Sequence, residues 1–209
     1  MRPEPPIELK QPKVIVAEGL DAKLFILWAY QWYGIQDVQV LDYGGITELR
    51  KYLGVLQRAS GFSDVQTLLI ARDAELDSAA AFQSARHALS SIGLPTPDSP
   101  FSFTSGNPRT AVVIFPGLED GELVASGSLE DLCLKSVGDD PLMECVEEYI
   151  VCARGKSEPL RSTSKSRLHT FLSAKAGFAG LKIGEATKAG AWQLDHPTMQ
   201  PFKEMITGM

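Results

Sequence analysis

The chain has 209 residues, with 20 Lys+Arg against 26 Asp+Glu for a formal net charge of −6, a 44 % hydrophobic share and a mean hydropathy near zero. That length suits one domain, and the composition excludes a disordered, collagen-like or bilayer-spanning chain. The longest uncharged apolar stretch, Leu24 to Ile35, falls short of the roughly 20 residues a spanning helix needs, so no membrane partner is expected.

Residues 1–11 begin Met1-Arg2-Pro3-Glu4-Pro5-Pro6, polar and proline-rich, which predicts a flexible arm without an apolar leader segment. Residues 12–209 are expected to form a single domain. Val14-Ile15-Val16-Ala17 is a continuous apolar run with the pattern of a buried strand. It ends at Glu18-Gly19. Asp21 then reads as an N-cap, and Leu24, Trp28 and Trp32 recur at helical spacing until Gly34. Val38 to Leu41 predicts a second strand, and Thr47 to Gln57 a helix with Leu49, Leu53 and Leu56 on one face. A third strand, Thr67 to Ala71, runs straight into Arg72-Asp73-Ala74-Glu75. Asp77 reads as the cap of a helix carrying Phe82, Ala85, Leu89 and Ile92, stopped by Gly93.

Strands alternating with helices predict βαβ units around a mainly parallel sheet. Prolines 95, 97, 100 and 108 interrupt the middle, where Ala111 to Phe115 is a further strand. A loop rich in glycine and acids, 116–127, leads to a helix opening at Ser128, with Asp131 as its capping-box acid. Later stripes (Met143, Val146, Ile150 and Ala153; then Leu168, Phe171 and Leu172; then Met199, Phe202 and Ile206) predict extra C-terminal helices.

Three cysteines without CxxC or Cys/His clustering argue against a zinc site or a disulfide framework, and fit a reducing, cytoplasmic setting. Cys145 and Cys152, two helical turns apart beside the apolar stripe, read as buried thiols. His87, His169 and Asp195-His196 read as structural, and Trp28, Trp32 and Trp192 as core or subunit contacts. Neither a G-x-S-x-G elbow nor a P-loop occurs, which argues against a triad hydrolase or an NTPase.

Charge is segregated along the chain. Arg154 to Lys188 carries eight basic and two acidic residues, a net of +6, and the rest carries −12. An acidic protein is a poor non-specific DNA binder. A basic segment beside acidic clusters nevertheless suits a phosphorylated ligand held through cations on one side and Lys/Arg on the other. The acids fall in telling places. Glu18 ends the first strand and Asp73 and Glu75 end the third, where an open parallel sheet forms its ligand crevice. Asp73 and Glu75, two apart on extended backbone, are expected to point the same way. Glu130 lies in the first turn after Ser128. Crowded carboxylates repel unless they protonate or bind a cation, and such hard oxygen ligands suit Mg²⁺ or Mn²⁺.

Val16-Ala17-Glu18-Gly19, followed by Leu69-Ile70-Ala71-Arg72-Asp73-Ala74-Glu75, resembles the Toprim pattern of a Glu-Gly after the first strand and a DxD-type pair after a later one. Gly127-Ser128-Leu129-Glu130 is similar to the Ser-x-Glu element of the overcoming-lysogenization-defect nucleases, and Lys165 falls where those nucleases place a lysine. From about residue 12 to the end, the chain looks like an uncharacterised bacterial Toprim-related family. Glu75 stands where the pair has Asp, and Ala22 where primases carry a further acid. The resemblance implies a Toprim-like, Rossmann-like α/β fold and metal-dependent phosphodiester chemistry on nucleic acid, in a bacterial defence or mobile-element setting. It also implies Glu18, Asp73, Glu75 and Glu130 as ligands of Mg²⁺ or Mn²⁺, and Glu18 and Lys165 as catalytic residues. Lys165, Arg161 and Arg167 would bind nucleic-acid phosphate, with Gly19 and Ser128 in support. Two other functions stay open: a non-catalytic metal- or phosphate-binding interaction module, and hydrolysis of a small nucleotide. The sequence leaves room for an oligomer without specifying one.

Overall fold

The computed structural model of the protein describes residues 7–156, 160 and 162–209. Its centre is a parallel sheet of β1 (Lys13–Ala17), β2 (Val38–Asp42), β3 (Thr67–Asp73) and β4 (Arg109–Phe115) in the order β2-β1-β3-β4. Side chains alternate across a strand, so each apolar run feeds two cores at once. Ile15, Ala17, Leu69, Ala71, Val113 and Phe115 face one core. It is covered by α1 (Gly19–Trp32), α4 (Leu129–Lys135), α5 (Leu142–Arg154), α6 (Thr163–Ala174), α7 (Ile183–Lys188) and α8 (Gln200–Thr207). Val14, Val16, Leu68, Ile70, Val112 and Ile114 face the other, beneath α2 (Leu49–Leu56) and α3 (Ser78–Ser90). The expected α/β architecture, a mainly parallel sheet flanked by helices, is therefore present, with the C-terminal helices all on one face. The loop after β4 carries a small antiparallel hairpin, β5 (Leu118–Glu119) and β6 (Glu122–Leu123). Among the described residues no helix is long and apolar enough to cross a membrane.

Strand order fixes where a ligand can enter. The chain leaves β1 for β2 on one side, then crosses back to lay β3 on the other side of β1. Successive helices part at that reversal and open a crevice beyond the carboxyl ends of β1 and β3.

Local chemistry sets several helix starts. Asp77 accepts the Ala80 N–H at 2.9 Å and caps α3. Ser128 opens α4, with its N–H and hydroxyl both donating to Asp131 Oδ2, at 2.8 and 3.0 Å. His196 caps a short 3₁₀ turn, its Nδ1 accepting the Thr198 N–H at 3.2 Å.

Other expectations are corrected. Asp21 is not an N-cap, because α1 starts at Gly19 and places Asp21 inside its first turn. The buried face of α1 is Ala22, Phe25, Ile26 and Ala29, not the Leu24–Trp28–Trp32 stripe. Trp32 is exposed, and Trp28 lies under the Lys188 ammonium, 4.7 Å from its ring centroid. Trp192 is a core residue. Cys145 and Cys152 are exposed, because α5 turns Val146 and Ile150 inward; Cys133 is the buried thiol. Within the proline-rich arm, residues 7–11 lie against the domain: Leu9 is buried and its N–H donates to Ser60 O at 2.8 Å.

Candidate active site

Glu18 prolongs β1 by one hydrogen bond, its N–H donating to Ala71 O at 3.0 Å. Gly19 then turns the chain into α1 at φ +82°, with open space around it. The left-handed backbone, not crowding, is what calls for glycine here. The turn leaves the Glu18 side chain 13 % exposed at the crevice. Its Oε2 accepts the Tyr43 hydroxyl at 3.1 Å and lies 3.7 Å from Arg72 Nε. Burial pushes the Glu18 carboxyl above its ordinary range, against the pull of Arg72 and the Tyr43 hydrogen bond. Burial, with Glu18 beside it, pushes the Tyr43 phenol up as well.

Asp73 is the last residue of β3 and receives the Leu129 N–H on Oδ1 at 2.9 Å, which fastens the start of α4 to the strand end. Burial pushes its carboxyl up to about 8, and Glu130 adds most of the further push, ahead of Glu18 and Glu75. Glu130, in the first turn of α4, is 13 % exposed and sits 3.8 Å from the largely exposed Lys165 ammonium. Glu18, Asp73, Glu130 and Lys165 line one cleft of about 200 Å³, together with Lys182 and the first turn of α1.

Glu75 is not in the lining of that cleft but shares the adjoining one with Asp73. β3 stops at Asp73, and Glu75 adopts φ +54°, so strand alternation no longer applies. Its backbone exchanges two hydrogen bonds with Gly127, at 2.9 and 2.8 Å, and its exposed side chain lines a neighbouring cleft of about 270 Å³. Asp73, Ser128, Ser162 and Lys165 also line that second cleft. Arg167 lies in neither cleft: it pairs with Glu147 of α5, its Nη2 donating to Oε2 at 2.7 Å. Arg161 lies outside the described residues. The basic segment thus folds apart, since Lys175 pairs with Asp140 and Lys188 covers Trp28.

Three residues of the site escaped the sequence reading. Tyr43 follows β2 directly, and its signal is the Asp42-Tyr43-Gly44-Gly45 stretch at the carboxyl end of that second strand. Arg72 is 1 % exposed, and among the described residues its Nε and Nη1 have no hydrogen-bond partner. Its one local mark is a position straight after an apolar run and before Asp73. Lys182 belongs to the basic segment, with no local pattern that marks it apart from the other lysines.

The donors fit a hard, hydrated divalent cation. All are carboxylate oxygens, and the burial and neighbouring acids that push the Asp73 carboxyl up to about 8 are what a bound cation would offset. They do not fit a fully dehydrated cage: among the described residues no group of three or more Asp, Glu, His or Cys converges on one point. Mg²⁺ keeps several waters and is held through one or two carboxylates plus phosphate oxygens, so direct and water-mediated contacts would share the work.

Fold and cleft together define an α/β domain of the kind that binds its ligand beyond the carboxyl ends of a parallel sheet, at the reversal of strand order. The chain belongs to the family described as "Protein of unknown function (DUF3226)", whose model matches residues 12–208. No curated protein and no solved structure matches it.

Proposed function

We propose that the protein is a Toprim-like, Mg²⁺- or Mn²⁺-dependent phosphodiesterase acting on nucleic acid. One observation carries this reading: Glu18, Asp73, Glu130 and Lys165, far apart in sequence, line a single cleft at the switch point of the sheet. Glu18, Asp73 and Glu130 would hold the cation, with Glu75 reaching it from the adjoining cleft. A bound divalent ion neutralises phosphoryl charge and lowers the pKa of water. Glu18, oriented by the Tyr43 hydroxyl, accepts the proton of the attacking water as that oxygen bonds phosphorus and the ester P–O bond breaks. The leaving oxygen takes its proton from solvent. Lys165, held beside Glu130, stabilises charge building on the phosphoryl oxygens.

The test is cleavage or nicking of labelled nucleic acid in Mg²⁺ or Mn²⁺ by the wild type, Glu18→Gln and Glu130→Gln. Loss of at least about 100-fold in either variant is expected, the scale of removing one positioned catalytic group. Cleavage that persists in both variants, or without metal, would dismiss the proposal. The second reading is a metal- or phosphate-binding interaction module without catalysis. It is favoured by the failure of three acids to converge among the described residues. Mn²⁺ binding with no turnover of any phosphodiester would select it.

A further inference from the structure

The two acidic clefts adjoin, since both are lined by Asp73 and Lys165, and a ligand spanning them would treat them as one groove. Lys182 stands on the α1 side of that shared pair, and Ser162 on the α4–α6 side. At about 200 and 270 Å³, each cleft is smaller than the ~300 Å³ where compact small-molecule pockets begin. A ligand that fills both must therefore be extended. Its ends meet different chemistry. Lys182 brings a cation at the start of α7, with its own N–H engaged by Glu185 Oε2 at 3.0 Å. Ser162 Oγ accepts the Lys165 N–H at 3.3 Å, and among the described residues no acceptor takes its hydroxyl hydrogen. The neighbouring Ser164 differs, because its hydroxyl already donates to Asp131 Oδ1 at 2.6 Å.

We infer that the groove binds a nucleic-acid strand of several nucleotides rather than a single nucleotide, with Lys182 and Ser162 holding phosphates on opposite sides of the one that sits over Asp73 and Lys165. The inference rests on the phosphodiester reading above and adds a path to it. A mononucleotide would fill one cleft and leave the other end of the groove without a ligand. A strand presents an anion at every nucleotide step, so its next phosphates fall toward a cation on one side and a hydroxyl donor on the other.

The two contacts have different signatures in salt. A Lys–phosphate contact releases condensed counterions, so losing it lowers the slope of log affinity against log salt by about 0.7 on a single strand. A serine hydroxyl contributes affinity without charge, and its loss leaves the slope alone while weakening binding by roughly 2- to 10-fold.

The experiment measures binding of fluorescent oligothymidylates of two, six and twelve nucleotides in Ca²⁺ over a salt series. Wild type, Lys182→Ala, Ser162→Ala and Lys10→Ala are compared, the last pairing with Glu8 away from either cleft. The expected result is affinity that rises from two to six nucleotides, a shallower slope for Lys182→Ala alone, and an unchanged slope with weaker binding for Ser162→Ala. Affinity independent of length, or a slope that Lys182→Ala leaves untouched, overturns the inference. A parallel assay of Mn²⁺-dependent bis(4-nitrophenyl) phosphate hydrolysis, wild type against Glu18→Gln, keeps the two failures apart. Turnover that needs Glu18 without length-dependent binding removes the strand path only, and no turnover together with no oligonucleotide binding removes both.

Discussion

Arg72 is the residue hardest to justify on stability alone. Its guanidinium is 1 % exposed, two of its nitrogens lack hydrogen-bond partners among the described residues, and its acid neighbour stands at 3.7 Å. Desolvating such a pair costs more than loose pairing returns, so replacing both members by neutral groups of similar size often stabilises a fold. The double variant Arg72→Met/Glu18→Gln is expected to gain about 1–4 kcal/mol in denaturant unfolding, and to lose divalent-ion binding by calorimetry. A clear drop in stability would make Arg72 a structural strut instead. The residue-level legibility of the site divides along the same line. Glu18, Asp73 and Glu130 could be read from the sequence because strand ends and a capped helix start are written in local patterns. Tyr43 and Arg72 could not, because what brings them to Glu18 is the side-by-side pairing of β1 with β2 and β3, which no local spacing encodes.

At the scale of elements, strands announced themselves and helix faces did not. β1, β3 and β4 are buried on both sides and so appear as unbroken apolar runs. α1 misleads because it meets the sheet through Phe25 and Ile26 and α7 through Leu24, which blurs any single stripe. α7 has only six residues, too few to show a period, and it was not anticipated. Its seating is exacting: a Cβ on Gly184 would come within 2.3 Å of Leu24 Cβ. Alanine is intrinsically better than glycine in a helix by about 1 kcal/mol, but overpacking costs about 1–3 kcal/mol, and backbone-anchored Leu24 Cβ cannot step aside. Gly184→Ala is therefore expected to lower the melting temperature and to shift Lys182 away from the cleft, weakening oligonucleotide binding at low salt. Leu24→Gly in the same chain, which removes that Cβ, should restore the binding. If Gly184→Ala melts at or above the wild-type temperature, the close approach of α1 and α7 is not a constraint.

For the molecule as a whole, the charge pattern was legible and its meaning was only half so. The basic segment is real in sequence, yet its described members scatter: Lys165 and Lys182 reach the clefts while Arg167, Lys175 and Lys188 serve α5, the loop before it and α1. Sequence counts charges, and the fold decides which of them share a surface. The carboxylates, by contrast, are concentrated by the switch point, so a cation that joins them should stabilise the entire domain. By mass action, Mn²⁺ at about 100 times its dissociation constant adds about 2.7 kcal/mol. In a chain of this size that is roughly 5–10 °C of melting temperature. The rise is expected for wild type and not for Glu130→Gln, as followed by calorimetric melts with Mn²⁺ and with EDTA. Equal rises in both proteins would place the ion somewhere other than this cleft.

The left-handed twist at Glu75 divides labour within a single residue. Main-chain atoms clasp Gly127 and so clamp the end of β3 to the approach of α4, whereas the carboxylate hangs outward and has no part in that clasp. Scaffold and chemistry are thus separable at this one spot. Glycine there would relieve about 1–2 kcal/mol of left-handed strain against about 0.5–1 kcal/mol of added unfolded-chain freedom. Glu75→Gly becomes a clean subtraction, one anion fewer on an intact frame, with any change in ion affinity assignable to the missing carboxylate alone.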